Sequence, residues 1–184
     1  MRTIKLISCI LIGVFLAGCT QSREKMVKEI TEKEKALFTA DNPIPDKTKV
    51  TEMVALYMKF SDKHPKDSLA PEYIYRAANL QMSVGQNEEA IATLEIIMKD
   101  YEVYAKLPEV YFLKAFIYDN NLKNINKART AYTDFLQKFP KHDLADDAMI
   151  SIDNLGKTPE QIVKEFELKM KQKSDSATLA EKKK

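Results

Sequence analysis

The stretch that decides the fold is Tyr57-Met-Lys-Phe60-Ser-Asp-Lys63-His-Pro65-Lys66, because it returns 75 residues later as Tyr132-Thr-Asp-Phe135-Leu-Gln-Lys138-Phe-Pro140-Lys141. Two further pairs recur at the same distance: Leu69-Ala70 with Leu144-Ala145, and Asn79-Leu80 with Asn154-Leu155. A spacing of about half that distance also occurs, since Pro71-Glu72 is followed 37 residues later by Pro108-Glu109. A period of about 37 residues predicts a two-helix unit that is copied several times, each copy burying its apolar face against the next.

The seven prolines lie between apolar-periodic stretches rather than inside them, as expected where helices begin and end. Three of them open a Pro-Glu pair, which suits a first helical turn because the missing N–H costs nothing there. No β-alternating run of useful length is present, so we predict an all-α fold. Its helices are expected near residues 23–39, 47–63, 69–84, 87–101, 108–120, 125–139, 143–154 and 159–171. Asp46 is a predicted N-cap, and Thr158 and Gln161 have the spacing of a capping box.

The predicted helices divide the chain into segments. Residues 46–171 are expected to form a repeat domain of about three antiparallel helix-pair units, with an N-terminal helix before it and a C-terminal helix at its end. Residues 19–45 hold the charged first helix and a Pro-containing linker. The stripe of Met26, Ile30 and Leu37 on that helix is thin, so the helix either caps the stack or spaces it from a membrane. Residues 172–184 are basic, lack a sustained apolar face and are predicted to be disordered.

The repeat resembles the tetratricopeptide repeat family, whose unit is about 34 residues of helix–turn–helix. The residues that match the family pattern are Ala78, Gly85, Ala90 and Ile91 in one unit, and Ala115, Ala128 and Pro140 in the next. The chain departs from the pattern at the large aromatic position, which holds Ile74 and then Tyr111. It also departs at the turn glycine, which becomes Leu122 with one residue inserted within 121–126. The resemblance covers roughly residues 46–155 and implies a TPR-like α-solenoid.

In that family the first helix of each pair lines a groove that binds a protein partner. The resemblance assigns six candidate groove residues: Tyr75, Asn79 and Met82 in one unit, and Phe112, Phe116 and Asp119 in the next. An apolar groove with a few polar groups suits an extended or helical peptide. The alternative is that Phe112 and Phe116 pack on the following helices instead.

The first residues have the pattern of an export signal. Arg2 and Lys5 precede the apolar run 6–17, which at about 1.5 Å per residue is too short for a hydrocarbon core of about 30 Å. The run ends in Leu16-Ala17-Gly18-Cys19, which resembles the lipobox of bacterial lipoproteins. This resemblance implies that residues 1–18 are a cleaved signal peptide and that Cys19 carries acyl chains such as palmitate. The alternative is a simple signal peptide whose cysteine is incidental.

The residues after Cys19 bear on the membrane. Residues 20–23 lack the aspartate that resembles an inner-membrane retention signal and the acidic run that resembles a surface-export signal. The resemblance therefore implies a lipid anchor in the outer membrane, with the protein facing the periplasm.

Charge and cysteine content exclude several classes of function. With 29 Lys+Arg against 27 Asp+Glu, the net charge of +2 gives no basic footprint for nucleic acid, and cleavage after residue 18 would remove Arg2 and Lys5. Of the two cysteines, Cys9 would leave with the signal and Cys19 would be acylated. No free thiol would then remain for redox, metal or nucleophilic chemistry.

The remaining motifs give no sign of catalysis. Outside the signal the only glycines are Gly85 and Gly156, which are too far apart for a phosphate-binding loop, and no nucleophile elbow exists. His64 and His142 are predicted to be exposed residues at helix ends rather than metal ligands. We therefore expect no enzyme activity, no cofactor, no metal and no small-molecule substrate.

Together these features predict a membrane-anchored interaction scaffold of the cell envelope. The chain resembles tetratricopeptide lipoproteins that serve the outer-membrane β-barrel assembly machinery, and periplasmic relatives that act in the envelope. The resemblance implies protein partners and a role in outer-membrane protein assembly or envelope maintenance. The alternative is a self-associating structural spacer without a dedicated client.

Overall fold

The computed structural model of the protein describes residues 22–37 and 46–181, and all regular secondary structure in these ranges is helical. The prediction of an all-α, TPR-like repeat fold is confirmed. The helices are α1 (22–37), α2 (Lys47–Lys63), α3 (Leu69–Ser83), α4 (Asn87–Asp100), α5 (Leu107–Phe116), α6 (Ile125–Lys138), α7 (Ala145–Asn154) and α8 (Pro159–Glu181). Within the described ranges, no helix has both the length and the apolar character that a membrane crossing requires.

The repeat is visible in the backbone of three loops, which join α2 to α3, α4 to α5 and α6 to α7. In the first loop the N–H of His64 donates to the carbonyl of Phe60, Asp67 donates to His64, and Ala70 donates to Asp67. The corresponding donors are Tyr101, Tyr104 and Leu107 in the second loop, and Phe139, His142 and Ala145 in the third. The same three hydrogen bonds therefore recur at the period seen in the sequence.

Small residues allow the helices of each pair to approach closely. Ala78 of α3 and Ala90 of α4 are fully buried, and so are their counterparts Ala115 of α5 and Ala128 of α6. Larger buried side chains fill the spaces between successive layers, as the close packing of protein interiors requires. Close helix packing therefore explains why the family pattern has alanine at these four positions.

Helix α1 caps the N-terminal end of the stack. Ile30 is fully buried, and Met26 and Leu37 are buried in the same core cluster as Val50 and Met53 of α2. The thin stripe is sufficient because α1 needs to cover only one end of the stack. The prediction of a spacer is therefore wrong for residues 22–37, which share one core with the region starting at residue 46.

The inserted residue of the second unit is accommodated by a π-helical turn. Residues Ile117–Asn121 form this turn at the end of α5, and the N–H of Leu122 donates to the carbonyl of Ile117 at 3.0 Å. Such a turn absorbs one extra residue without unwinding the helix. The insertion was expected in the loop within 121–126 and lies earlier. Lys123, rather than Leu122, has the positive φ, 52°, that Gly85 supplies in the preceding turn.

The C-terminal helix is longer than expected. Its predicted capping box is present, since Gln161 Oε1 accepts from the N–H of Thr158 at 2.8 Å and Thr158 Oγ1 accepts from the N–H of Gln161 at 3.3 Å. From this start α8 runs to Glu181, so the predicted disorder from residue 172 is wrong over residues 172–181. That segment contains neither glycine nor proline, so nothing in it stops a helix that has begun.

Candidate partner-binding groove

An open groove of about 940 Å³ lies between α5, α7 and the start of α8. Three of the six predicted residues lie together in its wall, namely Phe112 and Phe116 from α5 and Asp119 from the π-helical turn. The facing wall includes Asp147, Ile150, Ser151, Asn154, Ile162 and Val163. The structure thus brings together one of the two predicted triplets, along with residues of α7 and α8 that the sequence did not indicate.

The groove exists because α8 stands away from α7. Helices α3 and α4, and likewise α5 and α6, pack side by side along their lengths, whereas α8 makes few contacts with the rest of the chain. The side chains at the opening therefore remain accessible to solvent. Phe116 is 37% exposed, and Ile150 and Val163 are each more than half exposed.

The two phenylalanines have different environments. The ring of Phe112 packs edge-on against Tyr132 and Phe135 of α6, with centroids 5.5 and 5.7 Å away, and it is half-buried. Phe116 lies at the exposed opening of the groove. The alternative prediction, packing on the following helix, therefore describes Phe112, while Phe116 is available to a ligand.

The inner surface of the groove carries polar groups in a largely apolar setting. Tyr132 is fully buried, and its hydroxyl has no hydrogen-bond partner within the described ranges. Burial raises the pKa of Tyr132, and the hydroxyl of Ser151, which lies in the same groove, offsets part of this effect. Burial raises the pKa of Asp119, and the charge of Lys123 offsets part of this effect. An unpaired buried hydroxyl costs free energy that a bound donor or acceptor would recover.

The other predicted triplet lies on α3, outside this groove. The Tyr75 ring is covered by Tyr104, at 6.5 Å between centroids, and by Lys106 Nζ, 5.7 Å from its centroid. Asn79 Nδ2 donates to the carbonyl of Tyr75 at 2.8 Å. Met82 is half-buried against the core between α3 and α4. Two residues of the loop before α5 thus lie over Tyr75, and all three side chains of this triplet are half-buried.

That loop is held by a carboxylate that sequence reasoning missed. Glu72 accepts from the hydroxyl of Tyr104 at 2.7 Å, from Lys106 Nζ at 2.9 Å and from Arg76 Nε at 3.1 Å. Burial raises the pKa of Glu72, but these three donors outweigh it and bring the pKa to about 2. Only the pair with Arg76, four residues away, has a spacing that the sequence could have revealed.

The same network reaches α1. Arg76 Nη1 also donates to Glu34 Oε1 at 2.7 Å, and the same oxygen accepts from the Tyr57 hydroxyl at 2.6 Å. Burial and the bond to Glu34 raise the pKa of Tyr57. A second link to α1 is the ion pair between Arg23 and Asp67. These contacts connect α1, α2, α3 and the loop before α5.

The histidines lie away from the groove and are half-buried, so the prediction that they are exposed is wrong. The ring of His64 packs against Phe60 at 5.0 Å between centroids, and His142 Nδ1 accepts from the N–H of Leu144 at 3.2 Å. Within the described ranges, no three histidine, cysteine or acidic side chains converge as metal ligands would. The predicted lipidation site, Cys19, lies outside the described residues.

Comparison with known proteins identifies one repeat unit. Among curated proteins, none matches the chain. Residues 109–142 match the family model of the tetratricopeptide repeat. This segment covers α5, the π-helical turn, α6 and the start of the following loop, and it contributes the Phe112, Phe116 and Asp119 wall of the groove. The chain therefore contains a tetratricopeptide repeat, and its all-helical fold is consistent with a stack of such units.

Proposed function

We propose that this protein is a lipid-anchored scaffold of the cell envelope that holds a segment of a partner protein in the groove between α5, α7 and α8. A tetratricopeptide repeat is a protein-interaction module, which supports a non-catalytic binding role. The observation that carries the proposal is the groove itself, with an exposed apolar opening and an unpaired tyrosine hydroxyl inside.

The chemistry of the groove favours a peptide over a small polar metabolite. Apolar side chains at Phe116, Ile150 and Val163 would contact one or two large apolar residues of the partner. The hydroxyl of Tyr132 and the carboxylate of Asp119 would fix its orientation by hydrogen bonds. A partner segment with an aromatic or aliphatic anchor beside a backbone or basic donor fits this arrangement.

The membrane part of the proposal rests on residues 1–23. The cationic start, the short apolar run and Leu16-Ala17-Gly18-Cys19 support acylation of Cys19 and attachment to the outer membrane on the periplasmic side. In that location the scaffold would act in outer-membrane protein assembly or envelope maintenance. Cys19→Ala should abolish incorporation of labelled palmitate and release the protein from the membrane fraction. Unchanged labelling in that variant would refute the anchor.

The groove is tested by photo-crosslinking in native envelopes. A photoreactive amino acid at position 116 should give discrete protein adducts that mass spectrometry identifies. The matched control is position 103, because Val103 is 99% exposed and lies outside the groove. Phe116→Asp should abolish capture of the same partner by the tagged chain, leave the helical circular dichroism unchanged and lower the melting temperature by no more than a few degrees.

Two outcomes would contradict the groove assignment. Identical adducts at positions 116 and 103 would show nonspecific contact with abundant neighbours. Partner capture that survives Phe116→Asp would place the binding surface elsewhere. The melting temperature serves as the control, because a fall of more than a few degrees would assign the loss of capture to unfolding.

A further inference from the structure

The outer part of α8 carries an apolar face that nothing in the described chain covers. Val163, Phe166 and Met170 are spaced by three and four residues, which aligns them on one side of a helix. Phe166 is 63% exposed, and the other two are more than half exposed. Lys169, three residues after Phe166, borders this stripe on one edge, so the face combines an apolar stripe with a positive charge at its margin.

Helix α7 has a face of complementary character. Asp146, Met149, Ile150 and Asp153 follow the i, i+3, i+4, i+7 spacing of one helical side. Met149 and Ile150 are each about half exposed, and both aspartates are exposed. No ion pair involves either aspartate within the described ranges. This face presents an apolar pair between two negative charges.

We infer that two copies of this chain associate by packing the outer face of α8 from each copy on the α7 face of the other. The apolar stripe of α8 would cover Met149 and Ile150, and Lys169 would lie between Asp146 and Asp153. Because both faces occur at the same end of the chain, a two-fold axis allows the α8–α7 contact to form twice. No face is then left over, and the assembly closes as a dimer. Large exposed apolar patches of this kind mark interaction surfaces.

The charges argue for a second copy rather than another occupant. The α8 of the same chain leaves the capping box at Thr158 and is tied near its start by Lys157 Nζ to Glu165, at 2.6 Å. Within the described ranges α7 and α8 of one chain make few contacts, so Phe166 and Met170 do not cover Met149 and Ile150 of the same chain. An anionic lipid surface would be repelled by the exposed aspartates of α7. A second α8, with Lys169 at the edge of its apolar stripe, places a positive charge beside them.

This inference goes beyond the proposed function and shares only two side chains with the groove. Phe166, Met170, Lys169, Asp146 and Asp153 do not line the groove, whereas Ile150 and Val163 contribute to both surfaces. Dimer formation would therefore cover Ile150 and Val163 at the edge of the groove and leave Phe116 and the polar interior to the partner segment. Failure of the dimer leaves the Phe116 crosslinking test unaffected, and the reverse also holds.

The test is sedimentation velocity of the purified full chain in detergent micelles over the micromolar range. The wild-type chain should sediment as a concentration-dependent dimer. Phe166→Asp should weaken association by at least about tenfold, as expected for a central interface aromatic. Val103→Asp introduces the same charge at an exposed apolar residue distant from α8 and should remain dimeric. Both variants should keep the wild-type melting temperature of the monomer.

Charge reversal makes the test specific for the proposed contact. Lys169→Asp and Asp153→Lys should each weaken the dimer, and combining them should restore part of the lost affinity, since Asp146 still opposes the new aspartate. A photoreactive residue at position 166, in a mixture of isotopically light and heavy chains, should link to the peptide that contains Met149 and Ile150 of the other isotope. A monomer throughout, a dimer insensitive to Phe166→Asp, absence of charge rescue, or crosslinks only within one chain or to detergent would each overturn the inference.

Discussion

Replacing Glu72 by glutamine tests whether the carboxylate on α3 fastens the loop before α5. The charge-assisted hydrogen bonds from Tyr104, Lys106 and Arg76 lower the pKa of Glu72 from 4.5 to about 2. A shift of that size corresponds to at most about 3 kcal/mol of stabilisation of the ionised form. Lys106 and Arg76 are nearly half exposed, and solvent screening reduces the expected loss to about 1–2 kcal/mol at neutral pH.

The pH dependence distinguishes this mechanism from simple loss of packing. Because the folded-state pKa of Glu72 is lowered, its contribution is complete above pH 4.5 and is lost as the pH falls towards about 2. The free energy of unfolding, measured by urea denaturation with circular dichroism, should therefore differ between Glu72→Gln and wild type at pH 7. This difference should shrink steadily below pH 4.5.

A matched control is Glu102→Gln, in the same loop, where the carboxylate is exposed and has no ion pair within the described ranges. This variant should unfold like the wild type at every pH. A stability difference for Glu72→Gln below about 0.3 kcal/mol at pH 7 would refute the reasoning, since a single exposed ion pair can contribute that much by itself. A difference that stays constant on acidification would assign the effect to packing.

Two further stability predictions concern the groove and the turns. Phe112→Ala should lower the free energy of unfolding by about 2–3 kcal/mol, because its ring packs on two buried rings of α6. Phe116→Ala should cost less than about 1 kcal/mol, because Phe116 is more exposed. Equal losses of the two variants in urea denaturation would contradict the different environments. Gly85→Ala and Gly156→Ala should each cost about 1 kcal/mol or more because both glycines have φ near 80°. Gly156→Ala should cost more, since its new methyl group would lie 2.9 Å from Ile125 Cδ1, while the space around Gly85 is open; thermal melts that rank them in the opposite order would contradict this.

The features that sequence predicted well are those encoded within one repeat. Helix boundaries follow from Pro-Glu pairs, caps and apolar spacing, and the two-unit recurrence of Tyr57 and Phe60 at Tyr132 and Phe135 reflects the same buried positions in α2 and α6. The groove residues Phe112, Phe116 and Asp119 come together because they follow one another along a single helix and its π-helical end.

The features that sequence could not predict depend on contacts between distant segments. Tyr75 is covered by Tyr104 and Lys106. Both residues are held in place by hydrogen bonds to Glu72, more than thirty residues away in the sequence. An insertion could be counted from the alignment of repeats, but whether a loop or a helix absorbs it depends on local backbone geometry. The open side of the groove depends on how far α8 diverges from α7. The sequence of neither helix by itself determines this separation.

The three loops share the same backbone hydrogen bonds, and this has a consequence for how such a chain can change by duplication. Asp67, Tyr104 and His142 occupy the same step of the same hydrogen-bond ladder. Asp67 and His142 both accept from the N–H two residues ahead, whereas Asp67 also pairs with Arg23 of α1 and Tyr104 donates to Glu72 of α3. The three loops thus share one backbone, while the side chain at this step links the first two loops to different helices. A repeat copied to a new place would keep its loop backbone and would need a new side chain at this step only where the loop contacts another helix.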